Sequence, residues 1–232
     1  MEINKITPQI FHQIENYLVQ INQDSDKSTF AELKQNLDNP KKLNPKEFAE
    51  EIIYVILASG FKQKTAKKYF YLIIDYLKKS KPPTLENLLQ IFNNKNKMKA
   101  VLKIWENKKK YCKEFYVKKP LQKQLNFLQT LPHIGNITKF HIARNLGLNF
   151  VKYDIWIQRL GVCLFGCEND VCKIDNSKLS PYIQQICDKM FNELSLSLNE
   201  KEGYIDVVLW KACQQNILII NKINLLLNLE GE

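Results

Sequence analysis

Apolar residues recur at intervals of three and four along nearly the whole chain, and that period commits the backbone to helices packed on helices. In "TPQIFHQIENYLVQI", Ile10, Phe11, Ile14, Tyr17, Leu18 and Ile21 fall on one face, Thr7 is placed to cap and Pro8 takes the first helical position. "NPKEFAEEIIYVILASG" has Asn44 as cap, Pro45 behind it, Glu47 to complete a capping box and Gly60 as a stop. Its middle is apolar nearly all round, the mark of a core helix. Ser180 and Pro181 repeat the same start before "YIQQICDKMFNELSL". Helices are also expected at 28–38, 63–80, 84–93, 97–116 and from Pro120 to Thr130, with a last one through "GYIDVVLWKACQQNILIINKINLLLN". Strict polar–apolar alternation is hard to find, and only 7 of 232 residues are glycine, so no sheet is expected. The expectation is an all-α, single compact unit of roughly ten helices in two lobes. One lobe is the middle of the chain, 45–130; the other combines 1–44 with 131–232.

Composition narrows the partners. Lys plus Arg number 34 against 24 Asp plus Glu, a net charge of +10 that favours a polyanion, nucleic acid or an anionic membrane face. Solvated lysine faces in a chain rich in Lys, Asn and Ile are the plainer alternative. With 45% apolar and 25% charged residues the composition is that of a folded globular protein. No uncharged apolar run is long enough to span a bilayer, and "MEINKITPQIFHQIENY" lacks the layout of a signal peptide. The apolar tail "NILIINKINLLLNL" is interrupted by Lys222 and asparagines and reads as a packed helix, so an intracellular protein without a membrane role is expected, in the cytoplasm or nucleoid, or in a nucleus. Six cysteines include the local "CLFGCENDVC", whose spacing fits neither paired zinc ligands nor a common iron–sulfur run; free thiols and no metal are expected.

Two short elements carry chemistry. In "FLQTLPHIGNITKFHIARNLG" one helix ends at Thr130, "LPHIG" turns the chain and a new helix starts near Asn136. Pro132 halts the first helix, and Gly135 permits a close backbone approach or a positive φ. The first amides of the new helix are then unpaired beside the positive end of its dipole, a site suited to phosphate. Asp154 follows "NFVKY" at the start of the next helix. On the residues alone it is either a helix cap or a carboxylate that stabilises a developing cation and activates water.

Taken together, "LPHIGNITKFHIARNLG" followed by "VKYDIWIQRLG" resembles the helix-hairpin-helix plus aspartate signature of the helix-hairpin-helix (HhH-GPD) DNA glycosylase superfamily that includes endonuclease III. Leu131, Pro132, Ile134 and Gly135 match its hairpin, while Asp154, Ile157 and Arg159 match its second element. "EFAEEIIYVILASGFKQKTAKKYF" is similar to the family's early core helix and the turn after it. The resemblance covers residues 45–165 well and the flanks loosely. It implies a base-excision repair enzyme that binds damaged double-stranded DNA as a monomer and flips one modified base into a pocket between two lobes. The hairpin, at 121–146, would hold a phosphate through Pro132, His133, Ile134, Gly135, Asn136, Thr138 and Lys139, with Arg159 also at the DNA. A monovalent cation can bridge there, and no other cofactor is implied. Asp154 would be the catalytic carboxylate, and Phe61 the wedge entering the base stack.

Departures from the pattern refine the chemistry. Members that also cut the DNA backbone carry a lysine two residues after the last hairpin glycine; this chain has Ile137, which cannot form an imine. Lys139 lies two residues further along the helix, about 200° away. Hydrolysis without lyase activity is therefore expected. His133 stands where the family has its first hairpin glycine, and the C-terminal four-cysteine motif is missing, so no iron–sulfur cluster is expected. Tyr153, Trp156, Tyr204, Asp206 and Trp210 are candidates for the base pocket, with plain core packing as the alternative. Lys62, Lys64, Lys67 and Lys68 are candidates to line the DNA backbone, unless they form an exposed basic face. A non-catalytic helix-hairpin-helix DNA-binding protein remains the second functional reading.

Overall fold

The computed structural model describes residues 1–24, 28–61, 63–79, 82–175 and 178–229. In chain order the elements are β1 (Glu2–Ile3), α1 (Pro8–Gln20), α2 (Phe30–Asp38), α3 (Pro45–Ala58), α4 (Gln63–Lys79), α5 (Leu85–Ile91), α6 (Lys95–Glu106), α7 (Lys108–Val117), α8 (Leu121–Gln129), α9 (Thr138–Asn145), α10 (Ile155–Phe165), a 3-10 segment (Glu168–Lys173), α11 (Pro181–Leu198), α12 (Glu202–Gln214), β2 (Leu218–Asn221) and β3 (Asn224–Leu227). Among the described residues the fold is all-α apart from one small three-stranded sheet. Among the described residues no helix is long and apolar enough to cross a membrane.

The anticipated helix starts follow from side chains that pair otherwise orphaned amides. Thr7 accepts from Ile10 N and Ser180 from Ile183 N, each with proline at the next position. Asn44 and Glu47 form a reciprocal capping box, and Thr29 and Glu32 form a second. The region expected as one helix over 97–116 is two, α6 and α7, separated at Asn107, whose side-chain amide donates to the Lys103 carbonyl at 2.9 Å and closes α6.

The chain divides into two compact units: Met1–Pro40 with Gly147–Glu232, and Lys41–Leu146. The middle unit centres on α3, with Phe48, Ala49 and every residue from Ile52 to Leu57 buried. Around it pack α4, α6, α7 and α9. Both hairpin helices, α8 and α9, lie in this unit, whereas the sequence assigned the hairpin to the lobe built from the termini; α9 packs directly on α3, a contact invisible to a boundary drawn at a turn.

In the other unit α10, α11 and α12 pack together, with α1 and α2 against α12. Its last element corrects the sequence expectation. The tail is a β-hairpin: α12 stops at Gln215, Asn216 takes φ +56°, and β2 and β3 pair antiparallel from Leu218 opposite Leu227 to Asn221 opposite Asn224. β1 joins β3 to give the order β1-β3-β2. Alternation is present in burial, since Leu225 and Leu227 are buried and Leu226 is exposed, but Leu226 and Ile219 are apolar on the open face, so the sequence shows no polar period. The chain leaves this unit at Pro40 and returns at Gly147, which sits at φ +82° with its Cα so close to Pro40 that a Cβ would meet the Pro40 Cβ at 2.6 Å.

Candidate functional site

In the middle unit, the turn after α8 closes through Ile134 N to the Leu131 carbonyl at 3.2 Å and leads into α9. Gly135 N donates to Thr138 Oγ at 2.8 Å, and Lys139 N to the Gly135 carbonyl at 3.2 Å. No side chain caps α9, and the amides of Asn136, Ile137 and Thr138 find no acceptor among the described residues. Unpaired amides at the start of a helix are the groups from which a phosphate site can be built.

The positive φ of this turn belongs to His133, at +66°, and Gly135 does not share it. That is a reason for glycine in the family pattern at the position where this chain has histidine. At Gly135 a Cβ would meet nothing nearer than Thr138 Oγ at 3.9 Å, so the missing side chain leaves room at the turn. Pro132 is half-buried and Ile134 buried, anchoring the turn. Thr138 serves the turn itself. Lys139 donates to Gln129 Oε1 at 2.8 Å, and Gln129 in turn donates to Asn136 Oδ1, so the lysine is drawn back towards α8. Burial pushes the Lys139 ammonium below its usual range. Ile137 is half-buried just before α9.

Behind the α3–α4 turn lies a lysine that the sequence did not single out. Lys97, 4% exposed, donates from Nζ to the carbonyls of Leu57 and Ser59 at 3.2 and 2.5 Å, closing the C-terminus of α3. Burial pushes its pKa down to about 8. Its ammonium lies 4.4 Å from the centre of the Phe61 ring, which remains 42% exposed. The turn that projects Phe61 is thus held by a charge. Lys62 lies outside the described residues.

In the other unit Asp154 is the N-cap of α10. Its Oδ1 accepts from the amides of Trp156 and Ile157 at 3.1 and 3.3 Å. Its Oδ2 faces Lys152 Nζ at 3.2 Å. A three-residue turn, closed by Asp154 N to the Lys152 carbonyl at 2.7 Å, brings the two side chains together. Buried Gln158 holds that turn by donating to the Tyr153 carbonyl at 3.0 Å. The Asp154 and Lys152 side chains keep 12% and 19% of their surface accessible, so the pair is largely desolvated but still reachable. The cap and the functional carboxylate are therefore compatible roles, one for each oxygen.

The pocket candidates separate by environment. Trp210 is half-buried, with Lys152 Nζ 5.2 Å from its ring centre, and Trp156 is half-buried beside the exposed Arg159 at 5.7 Å. Tyr153, 7% exposed, donates from its hydroxyl to Asp188 at 2.5 Å; burial and that carboxylate push its pKa far up. Tyr204, 1% exposed, packs edge-on against Phe11 and Phe30 and its hydroxyl meets Glu15. Neither tyrosine offers a face to a base; both serve packing. Asp206 is fully buried and accepts from Lys152 N at 3.0 Å, so it fixes the turn from below. Lys152 is the residue that sequence reasoning missed, and a basic residue two positions before the aspartate was the only local hint of it.

The six cysteines are free thiols, three buried and two, Cys167 and Cys172, exposed. Burial raises Cys163 to about 11. Among the described residues no three His, Cys, Asp or Glu side chains are grouped to hold a metal ion.

No protein-family model and no curated protein matches the chain. Solved structures do. The 8-oxoguanine DNA glycosylase of Methanocaldococcus jannaschii matches with a TM-score of 0.66 at 17% identity, over 90% of this chain and 94% of its own. That archaeon's 8-oxoguanine glycosylase/lyase bound to a 15-mer DNA containing 8-oxoguanine gives 0.63 at 16%, over 89% and 97%. The 8-oxoguanine DNA glycosylase of Thermotoga maritima gives 0.62 at 15%, over 89% and 95%. At these identities the likeness shows the fold alone, a helical one shared with those three structures. The similar structures are 8-oxoguanine enzymes and lend no support to the endonuclease III subgroup in particular.

Proposed function

We propose that the protein is a DNA glycosylase that flips a modified base out of double-stranded DNA and hydrolyses its N-glycosidic bond. The observation that carries this reading is the division of labour at Asp154: one oxygen is fixed by the α10 amides and the other faces the partly accessible Lys152 ammonium, on a fold shared with 8-oxoguanine DNA glycosylases. As the bond to the base breaks, positive charge builds on the sugar; a rigidly held carboxylate stabilises it and takes a proton from the attacking water. The free amides of Asn136, Ile137 and Thr138 receive a phosphate of the damaged strand, with a monovalent cation bridging the two. Phe61 enters the base stack, and Trp210 and Trp156 are the remaining faces for the flipped base.

Water is the nucleophile in this proposal because Ile137 stands where an imine-forming lysine is expected, and Lys139 is occupied with Gln129. The test is a set of duplexes, each with one modified base and 8-oxoguanine first among them, read for abasic-site formation and, with borohydride, for a covalent protein–DNA adduct. Abasic sites without an adduct are expected. An adduct would overturn the hydrolytic assignment, and salt-sensitive binding with no excision of any lesion would favour the non-catalytic DNA-binding reading.

A further inference from the structure

Breaking a glycosidic bond needs help at both ends: the sugar becomes a cation and the departing base carries away an electron pair. The shelf around Asp154 has a group of each sign. Lys152 Nζ is 3.2 Å from Asp154 Oδ2 and 5.2 Å from the centre of the half-buried Trp210 ring. The lysine is placed from two directions. Asp206 holds its backbone amide at 3.0 Å, and Gln158 holds the next residue's carbonyl at 3.0 Å. Asp206 and Trp210 are four residues apart on α12 and so share one face, which bears on Lys152 through both its backbone and its ammonium.

Resting on the glycosylase reading above, we propose that Lys152 is the acid of the reaction, giving a proton from Nζ to the departing base and recovering one from Asp154. The steps balance without any outside reagent. The bond from C1′ to the base nitrogen breaks with its electron pair going to the base, which takes the Lys152 proton. Water adds its oxygen to C1′ and loses a proton to Asp154 Oδ2. That proton crosses the ion pair to Lys152 Nζ, restoring both groups. Trp210 supplies the flat apolar face on which the base lies while it leaves. Among the described residues Asp154 lies across the pair from Lys152 and Asp206 beneath its backbone, and the Lys211 ammonium lies 5.7 Å from the same Trp210 ring.

The experiment is single-turnover excision from a duplex carrying one 8-oxoguanine, comparing wild type with Lys152→Met and Lys152→Arg, with DNA affinity measured separately. Arginine keeps the positive charge opposite Asp154 but holds its proton at any working pH. Both variants are expected to lose about 100-fold in rate while affinity changes by no more than about threefold, and the alkaline limb of the wild-type rate profile is expected to vanish from the residual activity. A Lys152→Arg protein at the wild-type rate would overturn proton donation and leave only a charge effect. Because Lys152→Arg keeps the ion pair, the question is decided even where Lys152→Met does not fold. Wild type that excises nothing from any duplex of the set removes the glycosylase reading itself, and this assignment with it.

Discussion

The hairpin after α8 and the shelf around Asp154 are both short turns before a helix, yet they recruit their partners from different distances along the chain. In the hairpin the side-chain bonds that shape the turn join residues within ten positions of each other: Gly135 to Thr138, Lys139 to Gln129, Gln129 to Asn136. In the shelf the decisive contacts come from Asp206, 54 residues downstream of Lys152, and from Trp210 beyond it. A binding surface made of backbone amides is specified by local turn chemistry. A reacting constellation needs side chains held to a fraction of an ångström, and that precision comes from tertiary packing.

The contrast can be broken from either side. Asp154→Asn keeps an oxygen for capping but removes the charge, so excision should fall about 10³-fold with DNA affinity nearly unchanged. Equal losses in binding and excision would mean that Asp154 acts only as a cap. Asp206→Ala, remote from the reacting atoms, should lower excision about tenfold and thermal stability by about 2 kcal/mol, because it strands the Lys152 amide. A stability loss without a rate loss would show that the shelf does not depend on its distant anchor. Lys139→Ala tests the local side: affinity for duplex DNA should drop about threefold and the salt dependence of binding flatten by about one ion, with the single-turnover rate intact. The smallest effect belongs to His133→Gly, which relieves the left-handed backbone and should raise the denaturant midpoint by an amount equivalent to about 0.5 kcal/mol. A lowered midpoint would mean that the histidine side chain contributes more than its backbone costs.

The same distinction explains what could be read from the residues. Thr7, Asn44, Ser180 and Asp154 announce helix starts because a cap bonds within three residues of itself. The hairpin was legible for that reason, including the absence of lysine at 137. The tail was not, because Ile219 and Leu226 put apolar side chains on the exposed face of β2 and β3 and erased the alternation that marks a strand. Tyr204 could be read as pocket or as core, since only the fold reveals Phe11, Phe30 and Glu15 around it. Lys152 and Lys97 escaped notice because a lysine in a chain with so many carries no signal until burial and a partner distinguish it.

Gly147 closes the terminal unit on itself. With Pro40 lodged where a side chain would stand, the path out of the terminal unit and the path back into it pass through one spot, and that unit is a body already closed there. A short bridge from Pro40 to Gly147 would leave every strand and helix of that body in its own sequence order. A bulkier residue at 147 would instead pry those two paths apart.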